Sequence, residues 1–195
     1  MADNLPPDAS PEASATEDEL IAFLSNSASY GTSTTARVEI IETHAARVFL
    51  AGEKAYKIKK PVTLPFLDFS TEPQRREALA REFELNHPHA PQIYLALGSI
   101  NRDRAGALTF SEGNPVEPVL VMNRFAQENL LARIAENGPL SRDTARALAA
   151  MIAQYHRAAP PAPSASGAAI IREVIDQLAG ELELTAADVG EVGAV

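Results

Sequence analysis

The run Lys57-Ile58-Lys59-Lys60 and the carboxylate Glu82 are the side chains whose types and spacing suit phosphate chemistry. A lysine on a strand can neutralise the α- and β-phosphates of a nucleotide, and an acid on the next helix can hold that lysine in place through an ion pair. Alternation along the strand sets Ala55, Lys57 and Lys59 on one face and Tyr56, Ile58 and Lys60 on the other. The alternative for Lys57 is an edge-strand lysine in water, and for Glu82 a helix pair with Arg75, Arg76 or Arg81. Other chemistries have fewer parts. The chain has no Cys, hence no thiolate nucleophile or thiolate metal site. It also lacks a G-x-x-x-x-G-K-[ST] loop. His87 and His89 flank a proline, a spacing open to a metal but expected instead as a helix-ending turn with imidazoles in solvent.

Three strands in quick succession must carry the lysines: residues 37–42 (RVEIIE), 47–51 (RVFLA) and 55–60 (AYKIKK). Gly52-Glu53-Lys54 reads as a tight turn, so these strands form an antiparallel meander that Pro61 ends. Thr71-Glu72-Pro73-Gln74 is a capping box that starts the helix bearing Glu82, and Pro88 and Pro91 confine its end to Asn86. At roughly 100° per residue Leu79, Glu82, Phe83 and Asn86 share one arc while Glu77 and Glu84 oppose it, so Glu82 is the acid on the apolar face. A short helix over 18–24 leads the chain. Further strands are expected over 92–100, 107–110 and 116–122, with a turn over 101–106. Helices then follow over 128–136, 141–157 and 168–184, the middle one carrying Leu148, Ile152 and Tyr155 on one stripe. Strands first and helices afterwards make an α+β fold.

In protein kinases the lysine strand reads V-A-I-K, and the alanine lies over the adenine, where a charged side chain would block the base. Ala55-Tyr56-Lys57 meets that condition. Taking Lys59 as the clamp would set Lys57 in the adenine's place, so Lys57 is the preferred residue. The segments IETHAARVFLAGEKAYKIKKPVTLPFLDFST (41–71) and RREALAREFELNHPHAPQIYLAL (75–97) resemble the N-terminal region of bacterial aminoglycoside-phosphotransferase-like proteins, a group often fused to a P-loop ATP-binding domain. The resemblance continues through VLVMNRFAQENLLARI (119–134), similar to the hinge, and ALAAMIAQYHRAAP (147–160), similar to the first long helix of the C-lobe. It implies a protein-kinase-like N-lobe, an antiparallel sheet plus one helix, followed by an incomplete helical C-lobe. It also implies ATP with Mg²⁺ as the cofactor, phosphoryl transfer to a small-molecule hydroxyl as the family activity, and Lys57, Glu82, Ala55 and the hinge at Met122 as the nucleotide-binding residues. Thr43-His44-Ala45-Ala46 replaces the Gly-rich phosphate loop of ordinary kinases, which implies weak affinity for the triphosphate.

Phosphoryl transfer in such a fold needs an Asp base on an H-G-D or H-R-D loop and a second Asp for the metal. None of His44, His87, His89 or His156 begins such a motif, and Asp68-Phe69-Ser70, although like D-F-G, precedes the Glu82 helix. Catalysis by this chain alone is therefore not expected. The competing reading is a non-catalytic regulatory or protein-interaction module built on the same lobe. Either way, an incomplete C-lobe leaves helical apolar surface through which chains could associate.

Charge is divided by position. The whole chain of 195 residues carries a formal −9, which argues against nucleic acid and anionic membrane as partners. Residues 1–36 hold six acids and no base, and residues 159–195 hold six acids and Arg172 alone, so residues 37–158 are slightly basic. The organisation expected is an unstructured acidic tail (1–16), a lobe with its leading helix (17–118), a hinge and helices (119–184) and a second tail (185–195). The lack of Cys, of an apolar leader and of any run of 18 apolar residues points to a cytoplasmic protein.

Overall fold

The computed structural model describes residues 15–31, 37–159 and 167–192, with side chains to residue 180 in the last stretch. Most of the expected acidic tail (1–14), the Ser/Thr-rich link (32–36), the Pro-rich break (160–166) and residues 193–195 lie outside the described residues. The chain divides into two compact units, Met1–Gln127 and Glu128–Val195.

Helix α1 (Glu17–Ser25) opens the first unit. Thr16 and Glu19 close a capping box around its first turn, so Thr16 is an ordered cap where a tail was expected. A 3₁₀ turn over Ser27–Tyr30 follows. Strands β1 (Glu39–Glu42), β2 (Ala46–Ala51) and β3 (Lys54–Lys59) form the expected antiparallel meander. Gly52 makes the turn between β2 and β3 at φ 58°, a conformation that favours glycine. A two-stranded ribbon, β4 (Thr63–Leu64) and β5 (Leu67–Asp68), leads into α2 (Glu72–Asn86). Then come β6 (Tyr94–Arg102), β7 (Leu108–Thr109) and β8 (Asn114–Asn123). The sheet of six runs β1-β2-β3-β8-β6-β7, so the last long strand inserts between the lysine strand and β6.

Both faces of the sheet are covered. On one, Leu20 and Leu24 of α1 pack against Phe49, Ile58, Ile100 and Val119, and Tyr30, Tyr56 and Phe110 stack beside them with ring centroids 4.5–5.5 Å apart. On the other, fully buried Leu79 of α2 covers the side of the sheet to which Leu120, the register partner of Lys57, belongs. Burial of each such side chain is worth on the order of 1.5–3 kcal/mol, so α2 is held down by packing more than by its own helix propensity.

The segment read as a hinge from residue 119 is strand as far as Asn123, because Leu120–Asn123 pair with β3 and Val119–Met122 also pair with β6. The chain leaves the sheet only after that. In the second unit are α3 (Leu131–Glu136), α4 (Arg142–Ala158) and α5 (Gly167–Val192). The Ser141 hydroxyl accepts from Thr144 N–H at 3.0 Å to cap α4. Residues 185–192, expected as tail, continue α5, in keeping with helix formers such as Ala186, Ala187 and Glu191. None of the described side chains of this unit is buried. An antiparallel sheet with helices segregated along the chain is an α+β fold. No described helix is long and apolar enough to cross a membrane.

Candidate functional site

Strand β3, the end of β8 and helix α2 bring all four sequence-chosen residues to one cavity. Ala55 and Met122 are register partners on neighbouring strands, and Lys57 and Glu82 stand beside them. Val48 and Leu50 of β2, Ile41 of β1 and Phe125 complete an apolar wall around about 190 Å³ of space. That volume lies below the roughly 300–1,000 Å³ of sites that enclose a whole drug-sized ligand, and suits one flat ring with the rest of a molecule outside.

The Lys57 ammonium donates to Glu82 Oε1 at 2.6 Å. Lys59, two residues along the same face, donates to Glu82 Oε2 at 3.0 Å, which the sequence reading did not anticipate. Neither Arg75, Arg76 nor Arg81 competes for Glu82: Arg75 pairs with Glu117, Arg76 with Glu72 and Arg81 with Glu84. Burial pushes the Glu82 carboxyl up, but the hydrogen bonds and charge of Lys57 and then Lys59 outweigh it and hold the group below its ordinary value. Glu82 is thus ionised at neutral pH. Two ammonium groups on one carboxylate leave a net positive charge beside the cavity.

The other lysines of the run are engaged elsewhere. Lys60 donates to Glu42 at 2.8 Å, and Lys54, at the start of β3, to Asn123 Oδ1 at 2.6 Å. Glu42, which flanks the site in sequence, serves Lys60 and Arg47. Asp68 accepts from Ser70 N–H, Gln74 and Thr63, and these bonds, the Ser70 backbone first, bring its carboxyl down to about 2. These bonds brace the turn that leads into α2, whose N-cap is Thr71. His87 is not turned to solvent as expected: its Nδ1 lies 2.7 Å from the Tyr94 carbonyl, and its ring stacks on Phe83 at 4.7 Å. Among the described residues no group of three or more His, Asp or Glu is placed to hold a metal ion.

The turn between β1 and β2 spends its own donors. Thr43 N–H reaches the Ala46 carbonyl at 2.9 Å and Ala46 N–H reaches Thr43 Oγ1 at 3.1 Å. Those two backbone N–H groups are therefore committed within the turn. Beyond Met122, Asn123 N–H donates to the Ile93 carbonyl and Arg124 N–H to the Glu53 carbonyl, at 2.8 and 2.9 Å. Met122 therefore offers its side chain to the cavity, while its backbone belongs to the sheet. Arg124 closes one side of the mouth through a 2.8 Å ion pair with Glu39.

A second ion pair fixes the helix. Arg75 Nε and Nη2 each donate to Glu117 at 2.7 Å, and Arg75 Nη1 reaches the Phe69 carbonyl at 3.1 Å. Burial pushes the Glu117 carboxyl up, and the two bonds from Arg75 hold part of that back. The β6–β8 register shifts next to Glu117, between Ile100 and Asn101. Beside that shift Glu117 meets Arg75 of α2 while Val119, two residues on, joins the opposite core, a departure from simple alternation. Period-two reading of the strand cannot find such a residue.

Three uncharacterized proteins, one from Mycobacterium bovis and two from strains of Mycobacterium tuberculosis, are each 38% identical to the chain over 122 residues. The match covers 63% of this chain and 23% of each relative, so the chain spans about a quarter of the length of the curated proteins it matches. No family model and no solved structure matches it.

Proposed function

We propose that the first unit is a kinase-like nucleotide-binding lobe related to ATP-dependent small-molecule phosphotransferases of the aminoglycoside type, and that it binds ATP without performing phosphoryl transfer on its own residues alone. One observation carries the reading: a strand lysine, Lys57, is held by the helix carboxylate Glu82 at 2.6 Å at the edge of an apolar cavity. The lysine lies on the third strand and the acid on the helix that follows, the arrangement by which kinases position the lysine that meets the α- and β-phosphates. Adenine fits between Val48, Ala55 and Met122. Its edge would face the chain beyond Arg124, since the N–H groups of Asn123 and Arg124 are already committed. The phosphates would lie toward Lys57, and Mg²⁺ would arrive on the phosphates, since the described residues hold no cluster of acids for it.

The reaction these residues support is limited. Lys57 and Glu82 bind and orient; neither is a base placed for an acceptor hydroxyl, and the sequence has no H-G-D or H-R-D loop. Mg-ATP is expected to raise the melting temperature of the protein, and Lys57→Ala to remove most of the rise. An equal rise in the variant contradicts the assignment of Lys57. Purified protein is expected to transfer no phosphoryl group to aminoglycosides, and turnover lost on Lys57 substitution would show that a base is present.

A further inference from the structure

Kinase-like lysine pairing needs one lysine, and the site has two. Lys59 is the more covered of the pair, with 13% of its side chain exposed against 22% for Lys57, and it does not line the cavity. Its ammonium sits between Glu82 Oε2 and the ring of Phe69, whose centroid is 5.3 Å away. Phe69 is itself tied down: its N–H donates to the Val62 carbonyl at 2.9 Å and its carbonyl accepts from Arg75, which Glu117 of β8 anchors. A continuous set of contacts thus runs from β8 through Arg75, Phe69 and Lys59 to the carboxylate that holds Lys57.

We propose that Lys59 is a positioning residue for the anion site: by occupying Glu82 Oε2 it confines Lys57 to Oε1 and supplies the charge that keeps the pair cationic. This rests on the nucleotide reading of the same cavity. The argument is geometric first. A carboxylate with only one partner can turn about its own axis and share both oxygens with Lys57, drawing that ammonium back from the cavity; with each oxygen committed, the plane is fixed. It is electrostatic second. Without Lys59, Lys57 and Glu82 would cancel, and a polyphosphate would meet a neutral pair instead of a net positive charge. Cation–π contact with Phe69 holds the Lys59 ammonium in its place.

The charged and titratable groups facing Glu82 are Lys57 and Lys59 from β3 and Tyr94 from β6, with Arg124 on the same cavity after β8. Removing Lys59 is the change that should move the carboxyl without emptying the cavity wall.

The test uses the full chain as wild type, Lys59→Gln and Lys59→Arg, with ATP binding followed by calorimetry and the Glu82 carboxyl titrated by carbon NMR. Lys59→Gln is expected to weaken ATP about tenfold, the scale of one lost charge-assisted contact, and to raise the pH at which Glu82 titrates. Lys59→Arg is expected to restore most of both. A role in folding alone would lower the melting temperature without moving the Glu82 titration, and that result overturns the proposal. Unchanged affinity and titration in Lys59→Gln, with wild type binding ATP, overturn it and leave the nucleotide reading in place. Failure of the wild type to bind ATP overturns that reading and the proposal with it.

Discussion

At the scale of residues, the chemistry rests on one carboxylate shared by two ammonium groups. The side chain of Glu82 is 17% exposed, and removing its charge leaves Lys57 and Lys59 to repel each other in a partly desolvated place. Glu82→Gln is expected to cost about 2–3 kcal/mol of stability at pH 7, the range for a hydrogen bond to a charged group. Because the folded carboxyl titrates below its ordinary value, its contribution is complete above the unfolded pKa of roughly 4.3 and is lost as pH falls through the lowered folded value. Urea titrations of wild type and Glu82→Gln should therefore differ at pH 7, and the difference should shrink as pH falls below roughly 4.3. A constant difference across that range would mean the pair contributes nothing through charge. Lys57 and Glu82 were both legible in the sequence, one through the alanine two positions before it and the other through its place on the apolar arc. Lys59 is set aside there because taking it as the clamp would put the charged Lys57 where an adenine should stack. Its actual use, behind the carboxylate, depends on a contact with Phe69 that no local pattern signals.

At the scale of elements, α2 is fixed to the sheet at two places, by Arg75–Glu117 near its start and by Glu82 with the β3 lysines farther along. Glu117 is fully buried, so breaking its pair from one side strands a charge. Arg75→Met is expected to cost about 3–5 kcal/mol, while Arg75→Met with Glu117→Leu should recover much of the loss. Chemical denaturation of the single and double variants checks this, and a double variant as unstable as the single would show that packing, not charge, is at stake. The helix itself was readable from its capping box and 3.6-residue period. Strand β8 was expected over 116–122, across Pro118, and its start at Asn114 was not, because Pro115 reads as an interruption. Both prolines are tolerated because β3 pairs with β8 only from Leu120 onward, so beside them β6 is the sole neighbour in the ladder.

At the scale of the whole molecule, the buried core belongs to the first unit: every buried apolar residue among those described lies between Leu20 and Leu120. A fragment of residues 1–127 is expected to melt cooperatively, and a broad, non-cooperative melt by circular dichroism would contradict this. In the second unit Met151 and Ile171 are each 61% exposed, with Ile152, Ile170, Val174, Ile175 and Leu178 also exposed. Surface of that kind drives association, so the mass of the full chain by light scattering should rise with concentration while that of the fragment stays constant. The direct measurement for the proposed nucleotide site is an amide NMR titration of the protein with Mg-ATP. Shifts are expected to gather at Ala55, Lys57, Met122 and Phe125, around the cavity beside α2. An absence of shifts, or shifts confined to Tyr30, Tyr56 and Phe110 on the opposite face of the sheet, would contradict the account.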